Sequence, residues 1–325
     1  MPGPVPGGRP HQSSRKYDRA VSQAAPLADV VPLPTRRSPA RAALVALRPR
    51  QWVKNLLLFA GILFAARLGD AVRWVEAIAA FAAYCAASSA AYLVNDVQDA
   101  DDDRRHPVKR RRPVAARELT DRQALGLAGL LAVAALVLTT ALGASSIALL
   151  AAFALLQAAY TLRLKHVVLV DVLVIAGLFV TRAAAGAVAV DVRISPWLLV
   201  CTGLLALFLA LGKRRAELVL MERTAHRGRR VLDGYSIVLV DQLLTVVAAA
   251  TIAAYTVYTL TARDTWALAA TIPFVVFGLF RYLLLLHRRS AGEEPENVLL
   301  GDVPILVTVA AWAVTCAAIL VSAPV

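Results

Sequence analysis

Residues 92–113 read YLVNDVQDADDDRRHPVKRRRP, a burst of charge of both signs closing a long apolar run. Asp96, Asp99 and Asp103 stand at i, i+3 and i+7, so a helix continuing past Asn95 carries three carboxylates on one face. Like charges so placed repel one another, and the pattern calls for a cation between them. A hard divalent ion takes oxygen ligands, and magnesium commonly uses one or two carboxylates together with substrate phosphates. The stretch therefore predicts a phosphorylated ligand bound through Mg2+. Asp101 and Asp102 fall on other faces and read as solvated. Just beyond, Lys109, Arg110 and Arg112 offer an ammonium and guanidinium forks suited to phosphate oxygens, and Pro107 and Pro113 stop helix continuation. The competing reading is a solvated loop whose aspartates balance its arginines.

Outward from this stretch the chain is apolar. Of 325 residues, 59% are hydrophobic and the mean hydropathy is +0.63, which excludes an ordinary soluble domain. Runs near the roughly 20 apolar residues a membrane crossing requires fall at Val53–Leu68, Trp74–Val94, Leu125–Leu142, Ser146–Leu162, Val167–Val190, Pro196–Leu211, Ile237–Leu260, Trp266–Leu286 and Val303–Val321. The expected fold is an all-α membrane protein of nine transmembrane helices. Alanine-rich faces such as Ala86–Ala91 and Ala183–Ala187 are candidates for a lateral groove that admits lipid.

The net charge of +13 does not point to nucleic acid, because the cations segregate by side. One set of connections holds the cluster at 104–122, Arg163 and Lys165, the cluster at 213–230, and Arg288 and Arg289. The other set holds only Arg67, Arg73, Arg193 and Arg263. By the positive-inside rule the rich side is cytoplasmic, which puts the N-terminus inside, the C-terminus outside and the site on the cytoplasmic face of the cell membrane. Residues 1–39 are rich in Pro, Gly, Ser and Arg and are expected to form a disordered cytoplasmic tail, with 40–325 forming the membrane domain. SPARAALVALRPRQWVKN, 38–55, suits a short interfacial helix feeding the first span. Cys85, Cys201 and Cys316 lie inside spans without pairing or metal spacing and read as packing residues.

Within this frame NDVQDADDD fits N-D-x-x-D-x-x-x-D, and with RRHPVKRRRP after it the stretch resembles the first aspartate-rich motif of the UbiA superfamily of intramembrane prenyltransferases. The resemblance implies a nine-helix UbiA-like bundle over about 48–321. Typical members have a second aspartate-rich motif between the sixth and seventh helices. Here that place reads LGKRRAELVLMERTAHRGRR, with Glu217 the acid nearest the helix end. Together with RPRQWVKN, YTLRLKHVVLVD and GKRRAEL, the chain is similar to the decaprenyl-phosphate phosphoribosyltransferase branch. That branch supplies the arabinose donor for cell-wall arabinan.

What the resemblance implies is transfer of 5-phosphoribose from phosphoribosyl diphosphate to decaprenyl or a related polyprenyl phosphate, with pyrophosphate released and Mg2+ required. In that scheme Asp96, Asp99 and Asp103 hold the metal, and Asn95 orients the diphosphate. Lys109, Arg110 and Arg112 neutralise the leaving group. Lys213, Arg214 and Arg215 grip the 5-phosphate, with Glu217 pairing them or touching ribose. Lys54, Asn55, Arg163 and Lys165 receive the lipid phosphate, and Tyr160 and Asp171 line the cavity. Arg182 is a charge within the fifth span, where ionisable groups mark functional sites, but no partner for it is evident. Membrane lipid surrounds the protein, and a homo-oligomer stays open. Two alternatives carry distinct signatures: an aromatic or haem prenyltransferase of the same fold would need the second aspartate motif, and a non-catalytic transporter would show helices broken near the midplane.

Overall fold

The computed structural model describes residues 3, 37–64, 69–105, 108–193, 195–224, 230–261, 266–289, 298 and 301–322. The chain divides at Ser38, and the second unit runs from Pro39 to Val325. The expected disordered tail lies outside the described residues apart from Gly3 and positions 37–39.

Every regular element among the described residues is helical. The order is α1 (Pro39–Ala46), a 3-10 helix (Pro49–Phe59), α2 (Ala60–Phe64), α3 (Ala71–Gln98), α4 (Ala100–Arg105), α5 (Asp121–Thr140), α6 (Ala144–Leu162), α7 (Val170–Ala189), α8 (Pro196–Thr224), α9 (Ile237–Thr261), α10 (Ile272–Arg289) and α11 (Val303–Ser322). Local signals set the ends. Asp70 caps α3 by accepting from the amides of Val72 and Arg73 at 3.0 and 3.3 Å. Thr120 and Gln123 form a reciprocal capping box that starts α5.

Eight of these segments are long and apolar enough to cross a membrane. The first of the nine expected helices takes another form. Its residues make the 3-10 stretch and the short α2, because this segment lies against α7 with backbones in contact. A Cβ on Gly61 would sit 2.8 Å from the Ala187 Cα, and one on Gly186 would collide with the backbone of Leu58. The same contact corrects the lipid-groove expectation for Ala183–Ala187: all five positions are buried, covered by protein.

Each long helix from α5 onward packs on its neighbour in sequence, and α3 packs along α5. The shorter connections after α5, α6 and α7 make such neighbours antiparallel, and across the longer links the end of one helix meets the start of the next: Leu93 and Ala124 share a cluster, Arg215 bonds Asp241 and Arg281 bonds Asp302. The C-terminal ends of α3, α6, α8 and α10 therefore share one end of the bundle with the starts of α5, α7, α9 and α11. Two of its apolar clusters are the largest. Tyr84, Phe153, Leu178 and Leu58 build one among α3, α6, α7 and the 3-10 stretch, and Phe208, Leu211, Leu244, Tyr282 and Leu286 build the other among α8, α9 and α10.

Candidate functional site

The charged end of α3 is built from three segments. Asp96, in the last turn of α3, is 1% exposed. It receives Arg48 from the residue preceding the 3-10 helix and, at 3.3 Å, Nη1 of Arg112. The same Arg112 nitrogen is 2.6 Å from the carboxylate of Asp103, itself buried in α4. Arg48 also lies over the ring of Tyr92, its Cζ 4.8 Å from the centroid. Buried carboxylates persist when paired and hydrogen-bonded, and two guanidiniums here serve two acids.

The helix is interrupted within the motif. α3 ends at Gln98, Asp99 caps it at φ −93°, ψ 7°, and α4 restarts at Ala100. The three carboxylates expected on one unbroken face thus become a buried pair, Asp96 and Asp103, with Asp99 half-buried at the joint. No group of three His, Cys, Asp or Glu side chains forms a metal cage among the described residues. Two carboxylates reaching one nitrogen nevertheless fit a magnesium ion that takes its remaining ligands from phosphate and water. Asp101 is exposed and pairs with Arg104, and Asp102 is exposed, as the face argument requires.

A second charged cluster joins α6, α7, α8 and the link before α9. Arg214 is fully buried. Its Nε lies 2.6 Å from Asp171, its Nη1 meets Glu217, and its Nη2 is 3.4 Å from the hydroxyl of Tyr160. The hydroxyl of Tyr235 donates to Asp171 at 2.7 Å and accepts the amide of Leu169 at 2.8 Å. Burial, followed by that bond to Asp171, raises the Tyr235 phenol above its ordinary pKa, so it stays a neutral donor. Neighbouring Arg215 bonds Asp241 through Nε at 2.6 Å and the carbonyl of Leu286 at 3.2 Å. The expected phosphate clamp at 213–215 is therefore largely committed to protein: Arg214 faces carboxylates inside the bundle and Arg215 ties α8 to α9 and α10. Lys213 is half-buried beside them.

The remaining expected residues separate by exposure. Asn55 is 1% exposed, so its side chain is enclosed by protein. Lys54 is half-buried and donates to Gln51. Asn95, Lys109 and Lys165 are half-buried, whereas Arg110 and Arg163 are exposed. Arg182 gains the partner the sequence could not name: its Nε donates to Asn55 Oδ1 at 2.8 Å and its Nη1 to the carbonyl of Leu178 at 3.0 Å. Arg281 and Asp302 join α10 to α11 at 2.9 Å.

Two contributors were missed by sequence reading. Arg48 sits in the Arg-Pro-Arg just before the first apolar run, a signal available as a cation next to a span. Tyr235 follows the basic run that ends at Arg230 and is itself uncharged, so neither charge nor spacing announces it.

The UbiA prenyltransferase family profile matches residues 56–301. The decaprenyl-phosphate phosphoribosyltransferase of Mycolicibacterium smegmatis is 37% identical over 283 residues, covering 82% of this chain and 88% of that protein. The protein of the same name from Mycobacterium tuberculosis is 36% identical over 283 residues, covering 84% and 92%. Among solved structures, a UbiA homolog from Archaeoglobus fulgidus bound to GPP and Mg2+ superposes with a TM-score of 0.67 at 16% identity, over 87% of this chain and 100% of that one.

Proposed function

The chain belongs to the UbiA prenyltransferase family, and we propose that it transfers 5-phosphoribose from phosphoribosyl diphosphate to decaprenyl phosphate or a related polyprenyl phosphate, releasing pyrophosphate. The observation that carries this reading is the 36–37% identity, over more than four fifths of the chain, to proteins named for that activity. The product would feed the arabinose supply of a cell-wall arabinan.

The acceptor phosphate is an anion at neutral pH, so no side-chain nucleophile is needed. An oxygen of the lipid phosphate bonds to ribosyl C1 as the bond from C1 to the diphosphate breaks. The protein's work is to bring two anions together and to stabilise the departing charge. Asp96 and Asp103, with Asp99 beside them, are the residues that would hold Mg2+, which supplies a hard positive charge to diphosphate oxygens when bound. Asn95 adjoins that pair and can orient the diphosphate. Lys109, Arg110 and Arg112 take up charge on the leaving group, and Arg112 already bridges both acids. Lys213 can reach toward the 5-phosphate, while Arg214, held by Asp171 and Glu217, ties the start of α7 to the end of α8 beside it. Lys54, Arg163 and Lys165 can meet the lipid phosphate at the membrane boundary.

The segregation of Arg and Lys supports a cytoplasmic site, an inside N-terminus and an outside C-terminus in the cell membrane. A ninth crossing is read from the apolar run Val53–Leu68, whose described residues are helical as far as Phe64.

The test is to incubate purified protein with Mg2+, polyprenyl phosphate and labelled phosphoribosyl diphosphate. Label is expected in the lipid fraction. A protein inert with that donor but active with a prenyl diphosphate and an aromatic acid would refute the reading.

A further inference from the structure

Arg182 is the thirteenth residue of α7, about 18 Å from that helix's start by helical rise. It is 5% exposed. Its guanidinium lies between two rings, with Cζ 4.7 Å from the centroid of Phe153 and 5.3 Å from that of Phe179. Its hydrogen bonds go to an amide oxygen and a backbone carbonyl, and Asn55 is in turn held by Cys85 at 3.3 Å. Among the described residues no carboxylate pairs with Arg182, in contrast to Arg48, Arg112, Arg214, Arg215 and Arg281, each of which has one. Rings and neutral oxygens lower the cost of burying the charge without cancelling it.

A second observation lies across from it on α3. The hydroxyls of Tyr84 and Ser88, residues 2% and 6% exposed, have no hydrogen-bond partner. They are four residues apart and so share a face of the helix. The Tyr84 ring packs on Phe153 at 5.1 Å between centroids, the same ring over which Arg182 stands. Arg182 and the Tyr84 ring thus meet at one aromatic side chain, and the second orphan hydroxyl, Ser88, lies one turn along α3 from Tyr84. Two helical turns, about 12 Å, separate Ser88 from Asp96 on the same helix.

We propose that Arg182, Tyr84 and Ser88 form a binding site for a phosphomonoester group, separate from the Asp96–Asp103 end. One water could satisfy the hydroxyls but would leave the guanidinium uncompensated. A phosphomonoester offers several acceptor oxygens at once, accepts from both hydroxyls, and neutralises the cation. The phosphorylated substrates of the proposed reaction carry such a group, the sugar at its 5-position and the polyprenyl lipid at its end; whichever of the two Arg182 holds, this site replaces the cation given that phosphate above, Lys213 for the sugar or Lys54, Arg163 and Lys165 for the lipid. The inference depends on the phosphoribosyl-transfer reading for that choice of ligands. It gives the buried arginine the task of selecting a substrate by its terminal phosphate.

The experiment compares wild type with Tyr84→Phe, Ser88→Ala and Arg182→Met by calorimetric titration, in one arm with phosphoribosyl diphosphate and Mg2+ and in the other with a polyprenyl phosphate. Label transfer by the wild type is measured alongside. Tyr84→Phe and Ser88→Ala remove hydroxyls that bond to nothing in the protein, so ligand-free melting temperatures should match wild type. Affinity for one ligand should still fall by about tenfold or more, as expected for a lost hydrogen bond to a charged group, and the arm that responds identifies the phosphate. Unchanged affinity for both ligands in these two variants overturns the site even if Arg182→Met does not fold. Wild type that binds the ligands but transfers no label refutes the reaction and leaves the site standing, while wild type that binds neither refutes both.

Discussion

Arg48 adopts φ 54° and ψ 59° immediately before Pro49, a left-handed backbone that costs a non-glycine residue about 1–2 kcal/mol. The same residue delivers its guanidinium to the buried Asp96, which gives the strain a use at the site. Arg48→Ala is expected to slow label transfer and to lower the melting temperature in detergent, since breaking a buried pair costs about 3 kcal/mol. A variant with wild-type rate and melting temperature would remove Arg48 from the site. The aspartates divide by face in the same way. Asp96→Ala should abolish transfer, whereas Asp102→Ala, at an exposed position, should leave the rate within about twofold. An inactive Asp102→Ala would show that the wrong side of the helix had been assigned. Spacing alone placed Asp96, Asp99 and Asp103 on one helix face, and the structure buries two of the three. The restart of the helix at Ala100 was not legible, because nothing in DADDD distinguishes a continuous turn from a broken one.

At the scale of elements, the first segment is held to α7 by the absence of side chains. Gly186→Ala should lower the melting temperature by several degrees, because the added carbon meets the Leu58 backbone, which cannot turn aside as a side chain could. Gly126→Ala, where nothing lies within 4 Å, should be tolerated, and equal melting temperatures for the two variants would refute the contact. The corner joining α7, α8 and the link before α9 is held by charge. Asp171→Asn leaves the buried Arg214 with less compensation and should cost about 3 kcal/mol. Combining it with Arg214→Met removes both charges and should recover part of that loss, measured by thermal unfolding of the detergent-solubilised protein. A double variant no more stable than Asp171→Asn would show that the pair is not the source of the effect. The run Lys-Arg-Arg at 213–215 suggested a clamp on phosphate. Only packing reveals that two of its three members are turned toward aspartates on other helices.

At the scale of the molecule, antiparallel neighbours gather the charged helix ends on one side, which the proposed topology assigns to the cytoplasm. In a cysteine-free background, Lys165→Cys should react with an impermeant maleimide only from the cytoplasmic side, and Gly143→Cys only from the opposite side. The reverse pattern would invert the topology. By itself the sequence determined the class of fold, the eight longer spans and the acidic helix end, because hydropathy and periodicity are written within single segments of chain. Which buried cation meets which acid was decided only by the tertiary structure. Arg48 and Asp96 are 48 residues apart, Asn55 and Arg182 are 127 apart, and pairings across such separations depend on how whole helices settle against one another. The compact first segment has the same origin: its conformation answers to the glycine of a helix more than 120 positions away, and no local propensity encodes it.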